Sequence, residues 1–298
     1  MMIPAMFATA ALAIQQPRDA GPGGDAPGSV RPAQTTALAA APTLDVATLD
    51  ALAGYATIAP NVWRVAGPQD LLTETIQRGD ETIYRFADRM RIDTKLPVGY
   101  PQPTPPEVVE IKAYPAVRRA EVDGRGNPDL GMNLAFWPLF QHIDRNDIAM
   151  TAPVEMDYRG DGEGVLGDEL NLDDARNWTM SFLYEAESDG PTGDYGRVEV
   201  VDREATLVVA IGLRGGYRYA RTREATERLR EWLAANPSWE VAGEPRTLFY
   251  NGPERRPADQ WAELQVPIRL AASDTDSDIT SNRTDTPDAS RRKLAAHQ

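Results

Sequence analysis

The strongest pattern of apolar and polar positions in this sequence lies at residues 132–156. Apolar side chains recur there three and four residues apart, which places them on one face of a helix: Phe136, Leu139, Phe140 and Ile143. We expect Asn133 to be the N-cap of this helix and Pro138 to kink or restart it. The apolar face predicts that the helix packs against a core.

A half-buried strand is predicted directly after this helix. A polar turn at 144–147 is followed by residues 148–156, in which apolar and polar side chains alternate. The apolar positions of this alternation are Ile148, Met150, Ala152, Val154 and Met156. Because Pro153 cannot donate a hydrogen bond to a neighbouring strand, we expect an edge position or a bulge near it.

The same order of elements, two strands, a helix and two strands, is predicted twice between residues 106 and 270. The first half has the helix described above and strands at 109–113, 116–122, 148–156 and 178–184. The second half has a helix from an N-cap at Thr222 to Asn236 and strands at 197–201, 206–213, 246–250 and 261–268. Strands this short favour antiparallel pairing, so the pattern predicts an α+β fold of about eight strands and two helices.

Weaker signals precede this repeat. Residues 44–98 contain patterns for a short helix near Leu52, a strand at 61–65, a helix capped by Asp70 and a strand at 82–91. We interpret this segment as a small N-terminal extension that packs on the main domain. A proline-rich stretch at 97–106 then indicates a stiff connector.

The two ends of the chain lack the period of a helix or a strand. Residues 1–13 are apolar and end in Ala-Leu-Ala, a pattern of cleaved signal peptides, so we expect export to the periplasm or secretion. This segment is too short to span a bilayer, and we predict no integral membrane segment in the mature chain. Residues 14–43 are predicted to be a disordered linker and residues 271–298 a disordered tail.

Composition excludes several classes of function. The net charge of -14 argues against sequence-independent nucleic-acid binding, which needs clustered basic side chains to displace counterions. The chain has no cysteine, which excludes disulfides, thiolate metal sites and thiol catalysis. It also has no G-x-S-x-G, H-E-x-x-H or Walker motif. A binding protein is therefore favoured over an enzyme, and we expect a monomer.

Three motifs in chain order resemble the SOUL/haem-binding protein family. They are EIKAYPAV at 110–117, IAMTAPV at 148–154 directly after the helix, and WTMSF at 178–182. The resemblance covers residues 106–270. It implies a pseudo-two-fold, distorted antiparallel eight-stranded β-barrel flanked by two helices, and it implies haem or a related tetrapyrrole as the ligand.

A haem site needs an apolar slot for the ring and cations for the two propionates. We expect the slot to lie beside the first helix and to be lined by Met132, Phe136, Leu139 and Met150. We expect Arg118 to reach one propionate and Arg218, after the Gly215-Gly216 turn, to form a second cationic rim. The alternative is that the apolar residues belong to the core and that the arginines face solvent or pair with acidic residues.

His142 is the candidate for an axial haem ligand, because the other histidine, His297, lies in the tail. The alternative is a boundary histidine with a half-buried ring. We otherwise predict no metal site. Two other functions stay open: a small-molecule hydrolase on the same barrel, which needs a buried carboxylate in the cleft, and a protein-interaction module, which needs a wide exposed apolar patch.

Overall fold

The structure is a computed structural model that describes residues 43–160, 170, 172, 175–252 and 254–272. The predicted signal peptide, nearly all of the predicted linker and nearly all of the predicted tail lie outside the described residues.

The described residues form three α-helices and fifteen strands. The helices are α1 (Val46–Leu52), α2 (Pro128–Arg145) and α3 (Tyr219–Ala235). The strands of the N-terminal extension are β1 (Ala56–Ala59), β2 (Val62–Ala66), β3 (Glu74–Arg78), β4 (Glu81–Phe86) and β5 (Met90–Ile92). The first half of the repeat has β6 (Val109–Tyr114), β7 (Val117–Arg125), β8 (Val154–Arg159) and β9 (Asn177–Leu183). The remaining strands are β10 (Gly193–Tyr195), β11 (Val198–Arg203), β12 (Thr206–Arg214), β13 (Trp239–Val241), β14 (Arg246–Phe249) and β15 (Trp261–Leu270).

Twelve of the described strands form one large antiparallel sheet, as the predicted α+β class requires. Its order is β1-β2-β6-β12-β15-β14-β8-β9-β7-β11-β10, with β13 paired to β15 beside this path. Strands β3, β4 and β5 form a separate small sheet. From β6 to β11 the order is symmetric about the β14–β8 pair. The counterparts in the two halves of the repeat are β6 and β11, β7 and β12, β8 and β14, and β9 and β15, and the two strands of each pair lie at equal distances from the centre.

The predicted eight-stranded barrel is not confirmed, because no strand pairing closes the sheet within the part of the chain described. Closure would have to join β6 to β11, the two ends of the symmetric order. The free edge of β6 pairs with β2, and the free edge of β11 pairs with β10. Both edges are therefore occupied by other strands.

The two long helices begin earlier than the sequence pattern predicts. Helix α2 begins at Pro128 after the N-cap Asn127, whose side chain accepts a hydrogen bond of 2.8 Å from Asp129 N, so the prediction of Asn133 as N-cap is wrong. The helix does not restart at Pro138, which lies inside it. Helix α3 begins at Tyr219, and Thr222 is buried within it. In both cases the apolar period starts later than the helix itself.

The predicted strand at 148–156 begins only at Val154. Before it, the Thr151 hydroxyl donates to the Leu183 carbonyl at 2.5 Å, and the Ala152 N–H donates to the Lys95 carbonyl at 2.8 Å. These bonds hold residues 148–153 outside the ladder. In the extension, the predicted helix after Asp70 is also wrong, because β3 occupies that region, and the predicted strand at 82–91 is split into β4 and β5.

Both faces of the large sheet are covered. Helix α3 packs on one face through Ala225 and Leu229, against apolar residues of β6, β12 and β15. The opposite face, which we call the polar face, carries buried charged residues that alternate with those apolar ones: Glu110, Lys112, Glu155, Arg246 and Glu263. Residues of the extension, among them Met90 and Ile92, and Tyr100 of the connector pack over this polar face.

Candidate functional site: a groove beside helix α2

A groove lies between helix α2 and the hairpin formed by β10 and β11. Residues of α2 from Asn133 to Arg145, together with Asn146, line one side, and Tyr195, Arg197 and Val198 line the other. Its volume is about 830 Å³. Small-molecule sites occupy roughly 300–1,000 Å³, so this groove, which we call the α2 groove, has the size of a ligand site.

The walls of the α2 groove include large apolar side chains that are open to solvent. The exposed fractions are 71% for Leu134, 53% for Trp137 and 42% for Tyr195. Exposed apolar side chains that line one groove together are typical of a surface that contacts a ligand or a partner. The groove therefore presents a surface that gains free energy when a ligand covers it.

Helix α2 carries these residues because apolar side chains occur on its buried face and also on a neighbouring flank. Ala135, Leu139 and Ile143 face the sheet and are buried. Leu134, Trp137 and Gln141 follow one another at three and four residues, so they lie together on a neighbouring flank of the same helix. The buried face fixes the helix on the sheet, and the flank is left to form the groove wall.

His142 lies at the floor of the groove and is 7% exposed. Its Nε2 lies 2.9 Å from the Tyr184 hydroxyl oxygen, and its Nδ1 lies 3.4 Å from the Asn146 side-chain nitrogen. The tautomer with the proton on Nε2 satisfies both contacts. The ring also packs edge-on against Tyr195, with 4.7 Å between ring centroids.

Burial shifts the titration of the groups at this floor. Loss of solvent lowers the pKa of His142 below its usual value, so the ring is neutral at pH 7. Loss of solvent also raises the pKa of Tyr184 to about 12, with Tyr195 adding to the effect. The Tyr184 hydroxyl therefore stays protonated as a partner of His142.

Two arginines line the groove without an ion partner among the described residues. Arg145 at the end of α2 and Arg197 on the hairpin both line the groove and are exposed. Neither makes an ion pair with any residue that the structure describes. A guanidinium group in this position can bind a carboxylate through two parallel hydrogen bonds.

Of the predicted site residues, His142 lines the α2 groove. The predicted slot residues lie together, but on the buried side of the helix: Met132, Phe136, Leu139 and Met150 all belong to or pack against the core between α2 and the sheet. The Phe136 ring, for example, stands edge-on to Phe182 with 5.1 Å between centroids.

The two predicted propionate partners lie away from the groove lining. The Arg118 guanidinium bonds both carboxylate oxygens of Asp202 at 2.7 Å and also donates to the Glu187 and Gly190 carbonyls. The hydrogen bond from Arg118 lowers the pKa of Asp202. Arg218 is an exposed residue at the N-cap of α3.

Sequence reasoning missed the side chains that form the groove walls and its cations. Leu134 and Trp137 are apolar residues outside the buried face of the helix. Apolar residues in such positions indicate a second contact surface, so the sequence does contain a signal for this wall. Tyr195 and Arg197 lie on a short hairpin with no apolar period. Their approach to α2 follows only from the pairing of β11 with β7.

Comparison with known proteins places the chain in a family. The family model described as SOUL heme-binding protein matches residues 101–267, more than half of the chain. The chain belongs to the SOUL heme-binding protein family. The match begins after the N-terminal extension, so the extension lies outside the region that the SOUL family model covers.

Comparison with curated proteins finds no match. Among solved structures, the chain is similar to EcmrR in a DNA complex, with 14% identity, 55% of this chain and 57% of that chain covered, and a TM-score of 0.43. The chain is also similar to the EcmrR C-terminal domain, with 16% identity, 55% of this chain and 98% of that chain covered, and a TM-score of 0.43. Its similarity to a hydrolase from Listeria innocua has 18% identity, 56% of this chain and 94% of that chain covered, and a TM-score of 0.39. The match thus spans 57% of the EcmrR chain in the DNA complex. Similarities this distant carry no information about function.

The described residues contain no group of three or more acidic, histidine or cysteine side chains placed to hold a metal ion. In the same residues, no helix has the length and apolar character needed to cross a membrane.

Proposed function

We propose that this SOUL-family protein binds haem or a related tetrapyrrole in the α2 groove. The observation that carries the proposal is that one groove combines exposed apolar side chains with the guanidinium groups of Arg145 and Arg197. Neither guanidinium group has an ion partner among the described residues. A haem-like ligand has a flat apolar ring and two propionates, so it needs both features. Membership of the SOUL family supports the same class of ligand.

The α2 groove offers separate contacts for the ring and for the carboxylates. Trp137 and Leu134 cover a face of the ring and remove apolar surface from water. Arg145 and Arg197 form charge-assisted hydrogen bonds with the propionates. Haem would supply its iron and the redox chemistry of that iron, while the protein supplies binding and orientation.

His142 forms the floor of this site and is not its metal ligand. Its Nε2 is already bonded to the buried Tyr184 hydroxyl. Ligation of an iron through Nε2 would cost this hydrogen bond. The groove residues therefore fit the ring and the carboxylates of a tetrapyrrole, and the metal is left to other ligands.

Titration of the purified protein with hemin tests this proposal. We expect a saturable shift of the Soret band, and Trp137→Ala should weaken binding about tenfold or more, because a tenfold loss corresponds to about 1.4 kcal/mol and aromatic contacts of this kind contribute that much. Leu130→Ala is the matched control, since Leu130 is an exposed residue of the same helix that does not line the groove. Equal affinity of the two variants, or no saturable shift, would refute the proposal.

A protein-interaction module is the second candidate. Leu130 is 74% exposed and lies outside the groove lining, so the exposed apolar surface of α2 extends beyond the proposed ligand site. A partner protein that covers this surface should be displaced by hemin if it shares the groove. Leu130→Ala should then weaken binding of the partner without changing the affinity for hemin.

We also propose that the chain is exported, on the pattern of residues 1–13. Expression in a bacterium followed by intact-mass measurement tests this. The protein recovered from the periplasm should begin at Ile14, and recovery of the uncleaved chain from the cytoplasm alone would contradict it.

A further inference from the structure

The α2 groove has two walls of the same chemistry. On the helix side, α2 provides the Trp137 ring and the Arg145 guanidinium. On the other side, the β10–β11 hairpin provides the Tyr195 ring and, two residues later, the Arg197 guanidinium. Each wall thus brings an aromatic face and a cation to the space between them.

Within the hairpin, strand β10 is weakly attached to the rest of the fold, whereas β11 pairs with β7 and buries Val198 and Val200 in the core. Strand β10 stands at the end of the large sheet and, among the described strands, pairs only with β11. All three of its residues are exposed. Gly196, with φ of 82°, forms the turn, and its N–H donates to Asp194 Oδ1 at 2.7 Å, so the turn is stabilised locally. Strand β10 and the turn can therefore move without disturbing the core, while β11 stays in the sheet.

Tyr195 is the residue of the hairpin that touches the opposite side of the groove. Its ring packs edge-on against His142, while its hydroxyl has only a 3.5 Å contact to the Pro191 carbonyl within the described residues. The ring is therefore held by one aromatic contact and remains 42% exposed. A flat ligand that enters the groove offers this ring a larger apolar face than the His142 edge does.

We propose that strand β10 and the turn of the hairpin close on the ligand, with Tyr195 stacking on the ring face opposite Trp137 and Arg197 binding one carboxylate. This inference rests on the proposed function. It names the ligand class as flat aromatic rings with two free carboxylates, one bound by each wall. Closure makes Tyr195 a determinant of how long the ligand stays, because the ligand must displace this wall to leave.

The dissociation rate of hemin, measured by transfer to excess apomyoglobin, tests the role of Tyr195. Tyr195→Ala should release hemin about tenfold faster, whereas Tyr195→Phe should release it at nearly the wild-type rate because the ring and not the hydroxyl makes the contact. Glu199→Ala is the control on the same hairpin, since Glu199 is exposed and does not line the groove. Thermal unfolding of each variant shows whether the fold is retained.

Arg197 is tested by comparing two probes. Arg197→Met should weaken binding of protoporphyrin severalfold but leave binding of its dimethyl ester unchanged, because the ester has no free carboxylate. If Tyr195→Ala and Glu199→Ala release hemin equally fast while Trp137→Ala still weakens binding, the closing hairpin is refuted and the proposed function stands. If the wild-type protein binds neither hemin nor protoporphyrin, both proposals are refuted.

Discussion

Arg64 of β2 and Glu110 of β6 form an ion pair with no solvent exposure on either side chain, with 3.0 Å between Arg64 Nη2 and Glu110 Oε1. Arg64 also donates to the carbonyls of Pro68 and Leu71. Burial raises the pKa of Glu110, and the nearby cations Lys112 and Arg64 oppose that shift. The N-terminal extension thus supplies the counter-ion for a buried carboxylate of the SOUL domain.

Loss of Arg64 should destabilise the whole protein. Arg64→Met leaves Glu110 buried without its partner, which typically costs about 3–5 kcal/mol. Urea unfolding measures this cost. The matched control is Arg85→Met, which removes an exposed ion pair with Glu74 and should cost about 0–1 kcal/mol. Similar costs for both variants would mean that the extension is not part of the folding unit.

This ion pair also shows what the sequence could and could not predict. The repeat of strands and helices followed from apolar periods, and the family followed from three motifs. The alternation of Glu110 and Lys112 with Val109 and Ile111 predicts a strand with one solvent-exposed face. In the structure both faces are buried, because the extension covers the second one, and no local pattern records that long-range contact.

The α2 groove could not be predicted from the sequence for the same reason. Periodicity identified the buried face of α2, so the residues chosen for a slot, such as Phe136 and Leu139, were those that pack in the core. A binding wall is made of apolar residues that the core does not use. Finding it requires knowing which faces of a helix the fold has already covered.

Gly131→Ala should destabilise the protein although the residue lies in a helix. Alanine normally favours an exposed helix over glycine by up to about 1 kcal/mol. A Cβ at Gly131, however, would overlap the ring of Trp178, which packs against both Gly124 and Gly131. We expect a net loss of about 1–3 kcal/mol in urea unfolding, as for other overpacked cores. Gly54→Ala is the control, because the nearest atom to its Cβ lies 3.8 Å away.

His142 should make stability depend on pH. Burial lowers its pKa in the folded state, so below about pH 6.5 the unfolded chain binds a proton that the folded protein resists. The stabilisation is fully present above the unfolded pKa and is lost as the pH falls through the lowered folded pKa. The free energy of unfolding of wild-type protein should therefore decrease from pH 7.5 towards pH 5 more steeply than that of His142→Gln.

The other histidine of the chain provides the control for this measurement. His297→Gln should retain the wild-type slope between pH 7.5 and pH 5, since the effect is assigned to the buried ring of His142. A slope that is unchanged in His142→Gln, or that is lost in His297→Gln, would contradict the assignment.

Glu263 on β15 holds the connector at residues 97–106, which crosses the polar face and which we call the crossing segment. Its Oε1 accepts from Thr104 N at 2.6 Å, from Lys112 Nζ at 2.8 Å and from the Tyr250 hydroxyl at 2.8 Å. Lys112 also donates to the Gln102 carbonyl at 2.7 Å. One carboxylate therefore ties the crossing segment to the buried ammonium group beneath it.

Glu263→Gln should loosen this crossing segment before the rest of the fold. The amide keeps the size of the side chain but removes the negative charge that pairs with buried Lys112, and removal of one partner of a buried pair typically costs about 3–5 kcal/mol. We expect faster hydrogen exchange at the Thr104 amide and protease cleavage near residues 97–106. Glu240→Gln, in an exposed pair with Arg269, should show neither effect. Unchanged exchange at Thr104 in Glu263→Gln would show that the crossing segment is held by its apolar contacts and not by this carboxylate.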